Sequence, residues 1–258
     1  MNVVKQSFLA ALLLAFLAQP AMAEEMLVAA ASDLSFVLPE LAARFEKETG
    51  HTLKLSFGSS GNLFSQIENG APFDLFFSAD LDYPRRLEVG GRVEPGTFCP
   101  FAKGWIVLWV SNGSGLDLGR GLRVLLDPAV RKIAIANPRH APYGRAAVAA
   151  LQHEKIYESV EQKLVFGENI SQAAQFVESG NADVGILALS LAVAPAMKSK
   201  GRYFQIPQNA HPPIEQAAVI LMSSHRKQAA QQFLQFLKKP ETISLLQQYG
   251  FSVAESRK

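Results

Sequence analysis

The stretch Thr52–Ser78, TLKLSFGSSGNLFSQIENGAPFDLFFS, carries one complete unit of architecture. Thr52–Phe57 is a short β-type apolar run. The next segment places Leu63 and Ile67 on one helical face and ends at Gly70. Asp74–Ser78 (DLFFS) is almost continuously apolar, as a strand covered on both faces must be. Strand, helix and strand in that order predict a parallel pairing, because a crossover helix brings the chain back in the same direction.

The same alternation continues on both sides. Upstream, Met26–Ala30 (MLVAA) precedes an amphipathic helix with Val37, Leu38, Leu41 and Phe45 on one face, closing at Gly50. Downstream, Trp105–Val110, Lys132–Ala136, Leu164–Phe166, Asp183–Leu187 and Gln216–Leu221 read as strands. Gly144–Leu151, Ile170–Ser179, Ser190–Met197, Arg226–Leu237 and Glu241–Tyr249 read as helices, with Pro240 separating the last two and Gly250 as a closing glycine. An α/β fold follows. One sheet would be large for this length, so two sheets joined by two crossings are expected, near Pro100–Gly104 and near His211–Pro213.

Composition excludes several classes. With 258 residues, 48% hydrophobic and 19% charged, the chain is ordinary globular rather than disordered or fibrous. The 25 Lys and Arg against 23 Asp and Glu leave +2, so no nucleic-acid surface or polybasic membrane patch is expected. A single Cys99 forms no internal disulfide and no CxxC zinc or redox motif; it reads as a small core residue. Residues 1–23 combine Lys5, the apolar run Ser7–Ala18 and Ala21-Met22-Ala23 before Glu24, the pattern of a secretory leader cleaved after Ala23. An exported chain is expected.

Candidate chemistry lies where strands turn into helices, since ligands of open α/β sheets sit outside the carboxyl ends of the strands. Four such junctions are small and donor-rich: Ala31–Ser35 (ASDLS), Gly58–Asn62 (GSSGN), Asn137–Gly144 (NPRHAPYG) and Gly167–Ser171 (GENIS). Helix-start N–H groups lack intrahelical acceptors and sit at the positive end of the helix dipole, so they suit an anion, and serine hydroxyls add donors without adding charge. The same residue types also serve as plain N-caps. Catalytic templates are absent. Gly58-Ser59-Ser60-Gly61 is not the GxSxG elbow, and His51, His140, His153, His211 and His225 have no metal-ligand spacing. His140, between two prolines, reads as a surface or hinge residue.

Four blocks together resemble the periplasmic molybdate-binding proteins of ABC transporters: Val28–Leu34 (VAAASDL), Phe57–Asp80, Ile135–Ala147 (IANPRHAPYGRAA) and Phe236–Phe251 (FLKKPETISLLQQYGF). The resemblance implies a two-lobe type II periplasmic-binding-protein fold, each lobe a mainly parallel sheet flanked by helices. Lobe 1 would be 24–104 plus 212–258, and lobe 2 would be 105–211. It implies molybdate or tungstate held in the cleft without a cofactor or metal-cation ligand, a membrane permease with its ATPase as partners, a periplasmic location and a non-catalytic monomer. Carried over by motif, the oxyanion-binding positions are Ser32 and Ser60 through hydroxyl and N–H, and Tyr143 and Ile170 through backbone N–H. Asp33 adds its N–H, with its carboxylate expected to turn away from the anion; some relatives have asparagine there. A tyrosine that some members supply is Ala188 here. The other functions open at this stage are a sulfate or phosphate binder and, remotely, a secreted serine hydrolase using Ser60 or Ser32.

Overall fold

The structure is a computed structural model that describes residues 23–253. The expected leader, apart from Ala23, lies outside the described residues. The described chain forms two five-stranded sheets. The first contains β1 (Glu25–Ala31), β2 (Thr52–Gly58), β3 (Leu75–Ser78), β4 (Cys99–Gly104) and β10 (Ile214–Ile220) in the order β2-β1-β3-β10-β4. The second contains β5 (Ile106–Ser111), β6 (Ile133–Ala136), β7 (Leu164–Gly167), β8 (Val184–Ala188) and β9 (Gly201–Gln205) in the order β7-β6-β8-β5-β9.

Each sheet runs mainly one way. In the first, β1 pairs parallel with β2 and β3, and only β10 is reversed, lying antiparallel to β3 and β4. In the second, β6 pairs parallel with β7 and β8, and only β5 is reversed, antiparallel to β8 and β9. The reversed strands are the two that enter directly from the other sheet. Trp105 alone separates β4 from β5, and residues 206–213 separate β9 from β10.

The first crossing lies directly after Pro100–Gly104, near where it was expected. Pro100–Gly104 is paired strand, and the crossing is Trp105. Pro100 is tolerated because β4 is an edge strand, where a missing N–H breaks no inner ladder. The other unanticipated strand, β9, is also an edge, with Arg202, Tyr203 and Gln205 exposed along GRYFQ. Neither carries the apolar run that marks an inner strand. Cys99 is half-buried at the margin of the core rather than inside it.

The helices pack on both faces. In the first sheet they are α1 (Val37–Thr49), α2 (Ser60–Glu68), α3 (Asp82–Val89), α9 (Lys227–Phe236) and α10 (Pro240–Gln248). In the second they are α4 (Pro142–His153), α5 (Tyr157–Val160), α6 (Ile170–Glu178), α7 (Leu189–Ala192) and α8 (Pro195–Lys198). The last two replace the single helix expected over Ser190–Met197, because Pro195 starts a new turn. Strand alternation divides the core of the first sheet. Val28, Ala30, Leu75, Phe77, Ala218 and Ile220 face α1 and α9, whereas Ala29, Phe76 and Val219 face α2 and α3.

Phe233 anchors the first of these faces. It is fully buried, edge-on to Phe45 at 5.0 Å and Phe77 at 5.9 Å, and stacked with Phe236 at 6.0 Å. Phe233→Ala should cost about 3–5 kcal/mol of unfolding free energy, through lost burial and the cavity left behind. Equilibrium denaturation measures this directly, and a loss under about 1 kcal/mol would contradict the packing described.

Candidate functional site

The carboxyl ends of the parallel strands in the two sheets face one another, and each junction ends in a helix start. After β1 comes a short 3-10 turn, Ser32–Leu34, instead of an immediate α-helix. Ser60 is the first residue of α2, behind Ser59, whose Oγ accepts from the Asn62 N–H. Tyr143 is the second residue of α4, behind Pro142, which has no N–H to leave unpaired. Ile170 is the first residue of α6, capped by Asn169, whose Oδ1 accepts from Gln172 N–H at 3.0 Å. The backbone N–H groups at these positions have no acceptor within their own helices.

All five expected residues lie on the wall of one cavity between the lobes, with Ala31, Gly58, Ser59, Ala79, Ala141 and Pro142 completing it. Ser32, Asp33, Ser60, Tyr143 and Ile170 are each no more than 3% exposed. The cavity has a volume of only about 10 Å³. Pockets for organic ligands run to about 300–1,000 Å³, so this one suits a small inorganic ion. None of the described residues lining it is Lys, Arg or His. Larger hollows lie elsewhere on the surface, for example beside Arg85, Arg86 and Arg145, and the five residues are not together there.

The two serine hydroxyls are prepared as donors. Ser60 Oγ accepts from the Ala79 N–H at 2.9 Å, and Ser32 Oγ accepts from the Ser171 N–H at 3.4 Å. With an acceptor lone pair occupied, each O–H proton remains available to another partner. Neither hydroxyl is paired with a histidine, so neither has the base a nucleophilic serine requires. The Ser–His contact that does exist is Ser59 Oγ to His140 Nδ1 at 2.8 Å.

That contact belongs to a set of bonds holding the lobes together. Gly61 N–H donates to His140 C=O at 2.9 Å, Ser171 Oγ–H to Ser32 C=O at 2.8 Å, and Ser190 Oγ–H to Asp33 C=O at 2.8 Å. Asn62 Nδ2 donates to Glu168 Oε1 at 3.1 Å, and Arg145 pairs with Asp80 at 2.5 Å. The structure is the closed form. One close approach crosses the cleft, and another sets the start of α4 within its own lobe. A Cβ on Gly61 would lie 2.5 Å from Tyr83 Oη and 2.7 Å from the His140 carbonyl oxygen. One on Gly144 would lie 2.2 Å from the Ala136 carbonyl oxygen, so α4 begins directly against the end of β6. His140 is thus a cross-cleft latch rather than a plain surface residue.

Asp33 links the lobes from beneath. Its Oδ2 accepts from Tyr143 Oη–H at 3.0 Å and from Gln216 Nε2–H at 2.6 Å, and Gln216 Nε2 also reaches Tyr143 Oη at 3.2 Å. Asp33 Oδ1 is buried with no hydrogen-bond partner among the described residues. Burial pushes the carboxyl up to about 7, against the lowering effects of Gln216, Tyr143 and its own backbone. Burial, and then the Asp33 charge, hold the Tyr143 phenol well above its ordinary range. Gln216 carried no assigned role from the sequence. It is fully buried in β10 beside the exposed Glu215, and no local pattern in IEQAAVI marks it. Ala188 is fully buried at the end of β8.

The raised Asp33 value has a consequence for stability. Because the folded value lies above the unfolded one of about 4, the group contributes stability that is full below pH 4 and lost as pH rises through about 7. About three units correspond to on the order of 4 kcal/mol. In ligand-free protein, Asp33→Asn should therefore remove most of that decline between pH 4 and 8, as read by denaturation at each pH. Parallel pH profiles for the two proteins would contradict the assignment.

The family described as bacterial extracellular solute-binding protein matches residues 26–252. The chain is 39% identical over 235 residues to the molybdate-binding protein ModA of Rhodobacter capsulatus, covering 91% of each. It is also 39% identical over 237 residues to ModA of Azotobacter vinelandii, covering 92% of this chain and 93% of that protein. The solved periplasmic molybdate-binding protein of Azotobacter vinelandii superposes with a TM-score of 0.84 at 36% identity, over 89% of this chain and 99% of that one. The sulfate-binding protein SubI of Mycobacterium tuberculosis superposes at 0.71 with 19% identity, a likeness of fold alone. The two-lobe α/β architecture and the resemblance read from the four sequence blocks are borne out by these relatives. The chain belongs to the bacterial extracellular solute-binding protein family.

Proposed function

We propose that this chain captures molybdate, or the isosteric tungstate, in the cavity between its lobes and delivers it to the permease and ATPase of an ABC transporter. The observation that carries this reading is the convergence of Ser32, Asp33, Ser60, Tyr143 and Ile170 on one small cavity with no cationic side chain in its wall. The relatives named molybdate-binding protein support the choice of ion. In the proposed complex, the Ser32 and Ser60 hydroxyls and the helix-start N–H groups donate to the four oxygens. Helix dipoles supply the positive potential that a lysine or arginine would supply elsewhere.

The lobes would be 24–104 with 212–258 and 105–211, a division supported by which strands each sheet contains. Ligand enters when they part at Trp105 and residues 206–213, and closure buries it. Export by a leader cleaved after Ala23, action in the periplasm as a monomer, and a purely non-catalytic role belong to the same reading.

Thermal unfolding against molybdate, tungstate, sulfate, phosphate and chromate tests it. A ligand at about 1,000 times its dissociation constant adds roughly 4 kcal/mol, which for a chain of this size raises the midpoint by on the order of 10 °C. That shift is expected for molybdate and tungstate alone, and a shift confined to sulfate or phosphate would replace the ion. Each serine hydroxyl on a charged acceptor is worth about 1.5–3 kcal/mol, so the double variant Ser32→Ala with Ser60→Ala should weaken binding at least about a hundredfold. Gly61→Ala should weaken it by preventing full closure. Unchanged affinity in either would contradict the site.

A further inference from the structure

Among the groups lining the cavity, one is of the wrong charge. Asp33 is 1% exposed, lies in the cavity wall and has one carboxyl oxygen, Oδ1, without a partner. The other oxygen accepts from both Tyr143 and Gln216. An ionised Asp33 would set a buried negative charge beside a dianion, with no cation in the wall to separate them. A neutral carboxylic acid does the opposite. Its Oδ1–H becomes one more donor in a site built from donors, while Oδ2 keeps both of its bonds.

We propose that the cavity takes its oxyanion together with one proton, carried on Asp33 Oδ1 and donated to a ligand oxygen. The inference rests on the oxyanion-binding reading above. The proton comes from solvent: free protein with Asp33 ionised, a dianion and one proton give the complex with Asp33 as the acid. The groups facing Asp33 are consistent with this. Tyr143 on α4 is titratable but is held neutral by burial, Gln216 on β10 and Ser190 on α7 do not ionise, and Ser32 and Ser60 complete the surroundings. The ionisable groups at the mouth have other partners, Asp80 with Arg145, Glu168 with Asn62 and His140 with Ser59. Burial in the closed form brings Asp33 to about 7, so at pH 6 the proton is largely in place and at pH 8.5 it must be acquired.

Selectivity follows from the same atom. A fully deprotonated oxyanion meets a donor at Oδ1 at the expense of one proton from solvent, and its apparent affinity falls about tenfold for each pH unit above 7. Asparagine is the isosteric test, because its amide oxygen can replace Oδ2 and its N–H can replace the protonated Oδ1.

The experiment is calorimetric titration of the full mature chain with sodium molybdate at pH 6 and pH 8.5, each in two buffers of different ionisation enthalpy. Close to one proton should be taken up per molybdate at pH 8.5 and close to none at pH 6, with the affinity at least tenfold lower at the higher pH. Asp33→Asn should take up none at either pH and lose the pH slope. Tight molybdate binding by the wild type with no uptake at pH 8.5 would overturn the coupling and leave the ion assignment standing. Absence of molybdate binding at both pH values would overturn the ion assignment and the coupling together. The wild-type proton count decides the matter even if the variant does not fold.

Discussion

A helix cannot satisfy the N–H groups of its own first turn, and this protein gathers four such starts around one cavity. Every other feature of the site serves that arrangement. Parallel strands place helix starts at their carboxyl ends, so two mainly parallel sheets set end to end bring the donors of both toward each other. Pro142 opens α4 without adding an unpaired donor, and Gly144 lets that helix begin against the end of β6. The wall therefore carries potential from backbone dipoles instead of mobile cations. Such a lining discriminates by the position of each donor rather than by charge alone.

Closure completes the cavity and depends on bonds that no single lobe can make. The Gly61–His140 backbone bond, the Ser59–His140 contact and the Ser171 and Ser190 hydroxyls on the Ser32 and Asp33 carbonyls all cross the cleft. Most are neutral bonds, each contributing about 1 kcal/mol. Such bonds can break and reform as the lobes part at two short crossings. The short link at Trp105 limits how far the lobes can separate on that side.

Much of this was legible in the sequence because it is local. Apolar runs marked the inner strands, and small polar residues followed by helical periodicity marked the turn at Ser32 and the helix starts at Ser60, Tyr143 and Ile170. What escaped was either at an edge or remote in sequence. β4 and β9 carry mixed burial, so their pairing with β10 and β5 is a tertiary event. The Asp33–Tyr143 and Asp33–Gln216 bonds join residues 110 and 183 positions apart, and no periodicity encodes them. His140 reads as loop because its partner Ser59 lies 81 residues away.

On the proposed function, an uncharged ring of helix-start donors, closed by two lobes, holds a tetrahedral oxyanion. A crystal structure of the mature chain grown with molybdate tests it most directly, because molybdenum scatters anomalously. One strong anomalous peak is expected between the lobes, within hydrogen-bond reach of the Ser32 and Ser60 hydroxyls and the Tyr143 and Ile170 N–H groups. A peak at a cationic surface hollow such as that beside Arg85, Arg86 and Arg145, with none in the cleft, would contradict it.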